Sequence, residues 1–321
     1  VTTPNGWPEE TDMILCCGEA LIDMIPRATV EGGTGFVPHA GGAVFNTAVS
    51  LGRLGARVGL VSGISTDSFG DILMTELVAS NVSTSALIRA KRPSTMAFVH
   101  LSSGQASYSF YDENTAGRMI QPSDLVSVEP KVKALFFGGI SLAVEPCADT
   151  YAELLEREGA GRAVMIDPNI RPGFISDEKT YRARLAHMFA RADIVKVSDE
   201  DLEWLVPEGD SLDARAARML QQGPTLLLVT RGGEGADAYL ASGEKLTVAA
   251  EKAEVVDTVG AGDTFNAGVL CKLAELGVLT KARIRELSVD DAAAALAFGA
   301  KVAGVTVARA GANPPWKSEL A

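Results

Sequence analysis

Cysteine, histidine and positive charge are scarce in this chain of 321 residues, and each shortage excludes a class of protein. The four cysteines, Cys16, Cys17, Cys147 and Cys271, form no C-x-x-C pair, so they read as reduced thiols packed as small hydrophobes. The three histidines, His39, His100 and His187, are too dispersed for a zinc cluster. Lysine and arginine number 29 against 41 aspartates and glutamates, a formal net charge of −12. That balance repels phosphate backbones and anionic lipid headgroups, which argues against a nucleic-acid or membrane partner. No run approaches the roughly 18 uninterrupted apolar residues of a membrane span. The polar start Val1–Asp12 lacks a basic segment followed by an apolar one, so a soluble cytoplasmic protein is expected.

Several nucleotide and hydrolase signatures are missing too. No G-x-x-x-x-G-K-[ST] occurs, and Gly260-Ala261-Gly262 lacks the third glycine of a dinucleotide fingerprint. Gly139-Ile140-Ser141-Leu142-Ala143 resembles a hydrolase elbow but ends in alanine, with only His187 downstream, so Ser141 reads as a turn serine.

What is present points to an α/β protein. The composition, 47% hydrophobic and 22% charged, is that of a folded chain. Short apolar runs at Met13–Cys17, Val58–Ser62, Leu135–Phe137, Ala163–Asp167, Ile194–Val197, Leu226–Thr230 and Ala236–Leu240 read as buried strands. Helical patterns alternate with them near Phe45–Leu54, Phe69–Ser80, Cys147–Glu158, Lys179–Arg191, Leu212–Gln222, Thr264–Leu276 and Val289–Ala303. The alternation predicts an open, doubly wound, mostly parallel sheet flanked by helices, with ligands at the carboxyl ends of its strands. Two stretches interrupt it. Met24–Ala40 has no helical period, and Thr95–Tyr111 reads as a hairpin turning at Ser102–Gln105, with Tyr108 and Phe110 at alternate positions. Together they predict a small β-sheet lid, about 24–40 and 95–111, on a single domain spanning 1–321. Ordinary surface hairpins fit the spacing equally well.

The segment richest in chemistry is Asp257–Gly268. Gly260 and Gly262 allow a tight turn, and the helix that follows points free amides of Gly260, Ala261 and Gly262 at an anion. Asp263 beside that anion hole makes sense if it takes the proton of a hydroxyl attacking a phosphoryl group. A plain glycine turn with Asp263 as helix N-cap fits the same residues.

This run resembles the second signature of the ribokinase/pfkB family of carbohydrate and nucleoside kinases, and Gly41–Gly55 is similar to the first. Gly18–Asp23, Asp67–Gly70, Asp167–Arg171 and Thr230–Gly235 are further matches in family order. The resemblance implies a ribokinase-like fold, ATP and magnesium as cofactors, potassium at a monovalent-cation loop, and Asp263 as catalytic base. It implies sugar binding by Asp23, Gly41, Gly42, Asn46, Asn169 and Arg171, with Ala97 and Phe110 packing over the sugar. ATP would be held by Lys196, Ser198, Thr230, Gly232, Gly235, Ala300 and Ala303. Taken alone, Asp23 is as readily a loop carboxylate and Thr230–Gly235 a hairpin connection. Two departures stand out. Ser198 and Asp201 replace Asn and Glu of the family's N-x-x-E segment, leaving Asp201 to order magnesium through water. Phe298-Gly299-Ala300 stands where many members carry Phe-Ala-Asn. Asp257 and the Arg309–Ala312 turn match the cation loop, which uses mainly backbone carbonyls.

The expected function is ATP-dependent phosphorylation of a primary hydroxyl on a small sugar. Gly41–Gly55 and the lid look most like bacterial fructokinases, which make fructose 6-phosphate. Ribokinase and 2-keto-3-deoxygluconate kinase share the motifs, and a catalytically silent sugar-binding regulator could share the fold. The apolar face of the lid suggests a homodimer.

Overall fold

A computed structural model describes residues 12–102 and 105–320. From the start, β1 (Met13–Cys17), β2 (Leu21–Ala28), β3 (Thr34–Gly41), α1 (Ala43–Arg53), β4 (Val58–Val61), β5 (Gly63–Ser65) and α2 (Ser68–Ala79) follow in order. Next come β6 (Ile88–Ala90), β7 (Met96–Ser102), β8 (Gln105–Tyr111), β9 (Val132–Gly138), α3 (Cys147–Glu158), β10 (Ala163–Asp167) and α4 (Glu178–Phe189). The remainder is β11 (Ile194–Ser198), α5 (Asp199–Leu205), α6 (Leu212–Leu220), β12 (Leu226–Thr230), β13 (Ala236–Leu240), β14 (Lys245–Val248), α7 (Ala261–Glu275), α8 (Lys281–Ile284) and α9 (Val289–Val307).

Eight strands form the main sheet in the order β14-β13-β12-β11-β10-β9-β1-β4. Pairing is parallel from β4 through β12 and antiparallel for β13 and β14. Side chains along β1 alternate between two cores. Ile14 and Cys16 pack under α1, α2, α7 and α9, while Met13, Leu15 and Cys17 pack under α3, α4 and α6. Burial on both faces explains why the central strands are uninterrupted apolar runs. All four cysteines are free and buried. Gly268 and Gly299 let α7 and α9 touch closely, since a Cβ on Gly268 would lie 2.8 Å from the Gly299 Cα.

The second, smaller sheet has the order β3-β2-β7-β8, so the two excursions do meet in one accessory sheet. The expected turn at Ser102–Gln105 lies partly outside the described residues, which omit 103 and 104. Three features depart from the sequence expectation. A further pair, β5 with β6, precedes the second excursion, and α5 and β14 add elements that no apolar period announced. The helix of the Asp257–Gly268 segment starts three residues earlier than expected, at Ala261, because Gly260 takes a left-handed conformation (φ 78°) and becomes the N-cap. Asp263 therefore lies inside the first turn and is not the cap.

Candidate active site

The main sheet changes direction at β1, whose neighbours β4 and β9 lie on opposite sides, and ligands of doubly wound sheets bind at such a switch. A cavity of about 310 Å³ opens there, walled by the residues that follow β1, β9 and β10 and by the start of α7. Beside it a second cavity of about 500 Å³ runs between β12, the 249–260 loop and α9. Thr258 and Gly262 line both, so the cavities meet at the first turn of α7.

Asp263 stands at that junction, 8% exposed. Asn46 Nδ2, one turn into α1, donates to Asp263 Oδ2 at 2.9 Å, and Thr47 Oγ1 donates to the Asp263 carbonyl at 3.2 Å. Burial pushes the Asp263 carboxyl up to about 7, with Asp167 and Glu19 adding to the rise and the Asn46 bond and Lys196 opposing it. The carboxylate makes no capping bond, which removes the N-cap alternative. Of the amides next to it, that of Ala261 closes a turn onto the Thr258 carbonyl at 3.3 Å. Those of Gly260, Gly262 and Asp263 donate to no protein acceptor among the described residues. Amides without a protein acceptor at the positive end of a fifteen-residue helix are an arrangement that can accept an anion.

A buried ion pair backs the junction. Lys196 Nζ donates to Asp167 Oδ2 at 3.0 Å, and Asn266 Nδ2 donates to the same oxygen at 2.7 Å. The Lys196 ammonium also stands 3.0 Å from where a Gly262 Cβ would be. On the opposite wall, burial raises the Asp23 carboxyl to about 6. A Cβ on Gly41 would collide with that carboxylate, so any larger residue there would push Asp23 out of its present position. Tyr108 and Phe110 of the small sheet stack at 5.8 Å and line the cavity, and Phe110 meets Phe174 edge-on at 4.4 Å.

A model of pfkB family carbohydrate kinases matches residues 11–319. The chain belongs to this kinase family. It is 54% identical to a fructokinase of Rhizobium leguminosarum bv. trifolii over 275 residues, 86% of this chain and 84% of that protein. It is 32% identical to a probable fructokinase-4 of Arabidopsis thaliana, over 97% and 96% of the two chains. Among solved structures, a fructokinase from Xylella fastidiosa with bound ATP superposes with a TM-score of 0.87 at 29% identity, covering 96% of each chain. The resemblance read from the motifs and the ribokinase-like α/β fold with its small sheet are both borne out.

Within this kinase most of the expected residues fall in two groups. Asp23, Gly42, Phe110, Asn169 and Arg171 line the first cavity, with Gly41 behind Asp23 and Asn46 behind Asp263. Ala97 is fully buried and not itself part of the cavity wall, but it pairs in register with Asp23 on one side and Phe110 on the other and so lies between them on the same face of the small sheet. Thr230, Gly232, Gly235, Ala300 and Ala303 line the second cavity. Lys196 and Ser198, expected beside them, do not. Lys196 is drawn to Asp167 in the first cavity, and the Ser198 hydroxyl N-caps α5, accepting from the Asp201 amide at 2.9 Å. Asp201 returns a long bond from the Ser198 amide at 3.5 Å, and burial and the Asp167 charge raise its carboxyl. Asp257 ties two loops together, accepting from the amides of Val259 at 3.0 Å and Gly311 at 2.9 Å. Sequence reasoning missed Glu19 as a residue of the cavity, although it lies inside the quoted Gly18–Asp23 match. It also missed the 249–260 loop, whose Ala250, Ala253 and Val255 wall the second cavity without any motif.

Proposed function

We propose that this kinase transfers the γ-phosphoryl group of ATP to the primary 6-hydroxyl of D-fructose. The observation that carries the reading is the junction: one buried carboxylate and three free amides stand where a polar cavity meets an apolar one. The polar cavity takes the sugar, with Asp23 accepting from ring hydroxyls and Tyr108 and Phe110 closing over the ring. The apolar cavity takes adenine against Ala300 and Ala303, with the phosphates running past Thr230, Gly232 and Gly235 toward Gly262. Asp263 accepts the hydroxyl proton as the sugar oxygen bonds to phosphorus and the bond to the departing ADP breaks. The amides of Gly260, Gly262 and Asp263, with Lys196 and Arg171, stabilise charge on the phosphoryl oxygens. Covering the ring keeps water from competing as acceptor.

Asp201 lines neither cavity, but it fits magnesium as a partly buried carboxylate whose contacts are all with Ser198, which leaves oxygen lone pairs for a hard cation's water. Magnesium bound there would offset the charge of the ATP phosphates. Asp257 spends its oxygens on two amides, so potassium would take backbone carbonyls of the loops it ties. Exposed Phe36 and Tyr111 join Phe98 in an edge-on aromatic row on the small sheet, which supports pairing of two copies through it. No described helix is long and apolar enough to cross a membrane, which fits a cytoplasmic enzyme.

Coupled ATP turnover with fructose, ribose, 2-keto-3-deoxygluconate and nucleosides tests the reading. Fructose should give the highest kcat/KM. A higher value for ribose or 2-keto-3-deoxygluconate would move the substrate within the family, and binding of sugar with no turnover of any would restore the silent regulator.

A further inference from the structure

The first cavity contains a buried carboxylate to which the transfer chemistry gives no task. Glu19, on the short connection between β1 and β2, is 7% exposed. Its Oε1 accepts from the Ala43 amide at 2.9 Å and its Oε2 from the Ser141 amide at 3.4 Å. Its carbonyl accepts from the Phe45 amide at 3.2 Å. These contacts replace something α1 lacks. The N-cap of α1 is Gly42, which has no side chain to accept from the first-turn amides. Glu19 does so from the β1–β2 connection packed against the helix start, with side chain and main chain together. Room for it is cleared on two sides: a Cβ on Gly139 would collide with its carboxylate, and one on Gly42 would lie 3.2 Å from its Cγ. One turn further along α1, Asn46 holds Asp263.

We propose that Glu19 is a positioning residue for phosphoryl transfer: it caps the first turn of α1 and thereby fixes Asn46 against Asp263. The inference rests on the kinase reading above. Burial raises the carboxyl of Glu19 itself, and in its ionised form it adds negative charge near Asp263, on which Asp167 of β10 and Lys196 of β11 also act, with Asp23 and Arg171 lining the same cavity. Removing the Glu19 charge therefore eases ionisation of Asp263.

Two variants of the full chain separate capping from charge. Glu19→Gln keeps an oxygen for the Ala43 amide and loses the charge. It should retain kcat within about threefold and move the acidic limb of the kcat/KM profile to lower pH. Glu19→Ala loses both and should lower kcat by about tenfold or more while the sugar KM changes less than about threefold, because the base is displaced and the ring contacts stay. With normal wild-type turnover, three results would overturn the inference alone. These are Glu19→Ala kcat within twofold of wild type, a raised sugar KM at unchanged kcat, or equal losses in both variants that follow their melting temperatures. A wild-type protein that turned over no sugar would overturn the kinase reading itself.

Discussion

Asp263 should make the folded protein less stable as pH rises, and replacing it should relieve that penalty. Its carboxyl rises from an ordinary 3.8 to about 7, chiefly because burial disfavours the charge. A carboxyl with a raised folded-state value binds its proton more tightly in the native chain than in the unfolded one. Stability therefore falls with pH between about 4 and about 7 and stays low above. At about 1.4 kcal/mol per pH unit the full penalty is about 4 kcal/mol, of which about half is already present at pH 5.5. Asn at this position does not titrate and can still accept from Asn46. The stability of Asp263→Asn relative to wild type should thus increase by about 2 kcal/mol between pH 5.5 and pH 8. Urea unfolding of both proteins at the two pH values gives that double difference, and contributions from Asp23 and the other titrating groups cancel in it. A relative stability that is the same at both pH values would refute the argument that Asp263 is ionised at the cost of burial.

Three other substitutions probe the rest of the junction. Asn46→Ala removes a bond that favours the charged form of Asp263, so the acidic limb of kcat/KM should move to higher pH by up to about one unit. An unmoved limb in a pH–rate series would detach Asn46 from the base. Gly260→Ala forces a Cβ at φ 78° to within 2.7 Å of the Ala312 Cβ. It should cost about 1–3 kcal/mol in denaturant unfolding and lower kcat as the amides shift. Ala303→Phe fills the apolar cavity and should raise the KM for ATP about tenfold or more with the sugar KM nearly unchanged, measured by varying each substrate in turn. Equal rises in both KM values would contradict the division of the two cavities.

The parts of this molecule that sequence makes legible are those with a local physical cause. Short runs of mostly apolar residues buried on both faces read as strands, and the ranges Met13–Cys17, Ala163–Asp167, Leu226–Thr230 and Ala236–Leu240 match the structure to the residue. β14 escaped because its sequence, Lys-Leu-Thr-Val, is half exposed at the sheet edge. The helix α5 escaped because its first turn is wholly acidic, although Ser198 followed three residues later by Asp201 is a capping-box spacing. Local motifs located Asp263 but not its partner. The Asn46–Asp263 bond joins positions 217 residues apart, and the pull of Asp167 on Lys196 acts between neighbouring strands. Glu19 reaches α1 in the same non-local way. Each of these follows from the order of strands around β1, which no single segment encodes.

The central claim is that Asp263 takes the proton of the attacking hydroxyl, and Asp263→Asn tests it most directly in a steady-state assay with fructose and ATP. Asn preserves the shape and the Asn46 contact but cannot accept a proton, so kcat should fall by about 10²–10⁴-fold. The KM for sugar should change far less, because Asp23, Asn169 and Arg171 still line the cavity. Unfolding of the variant at the assay pH, no easier than for wild type, would exclude a collapsed fold as the cause. Turnover within a few-fold of wild type in that folded variant would contradict the account.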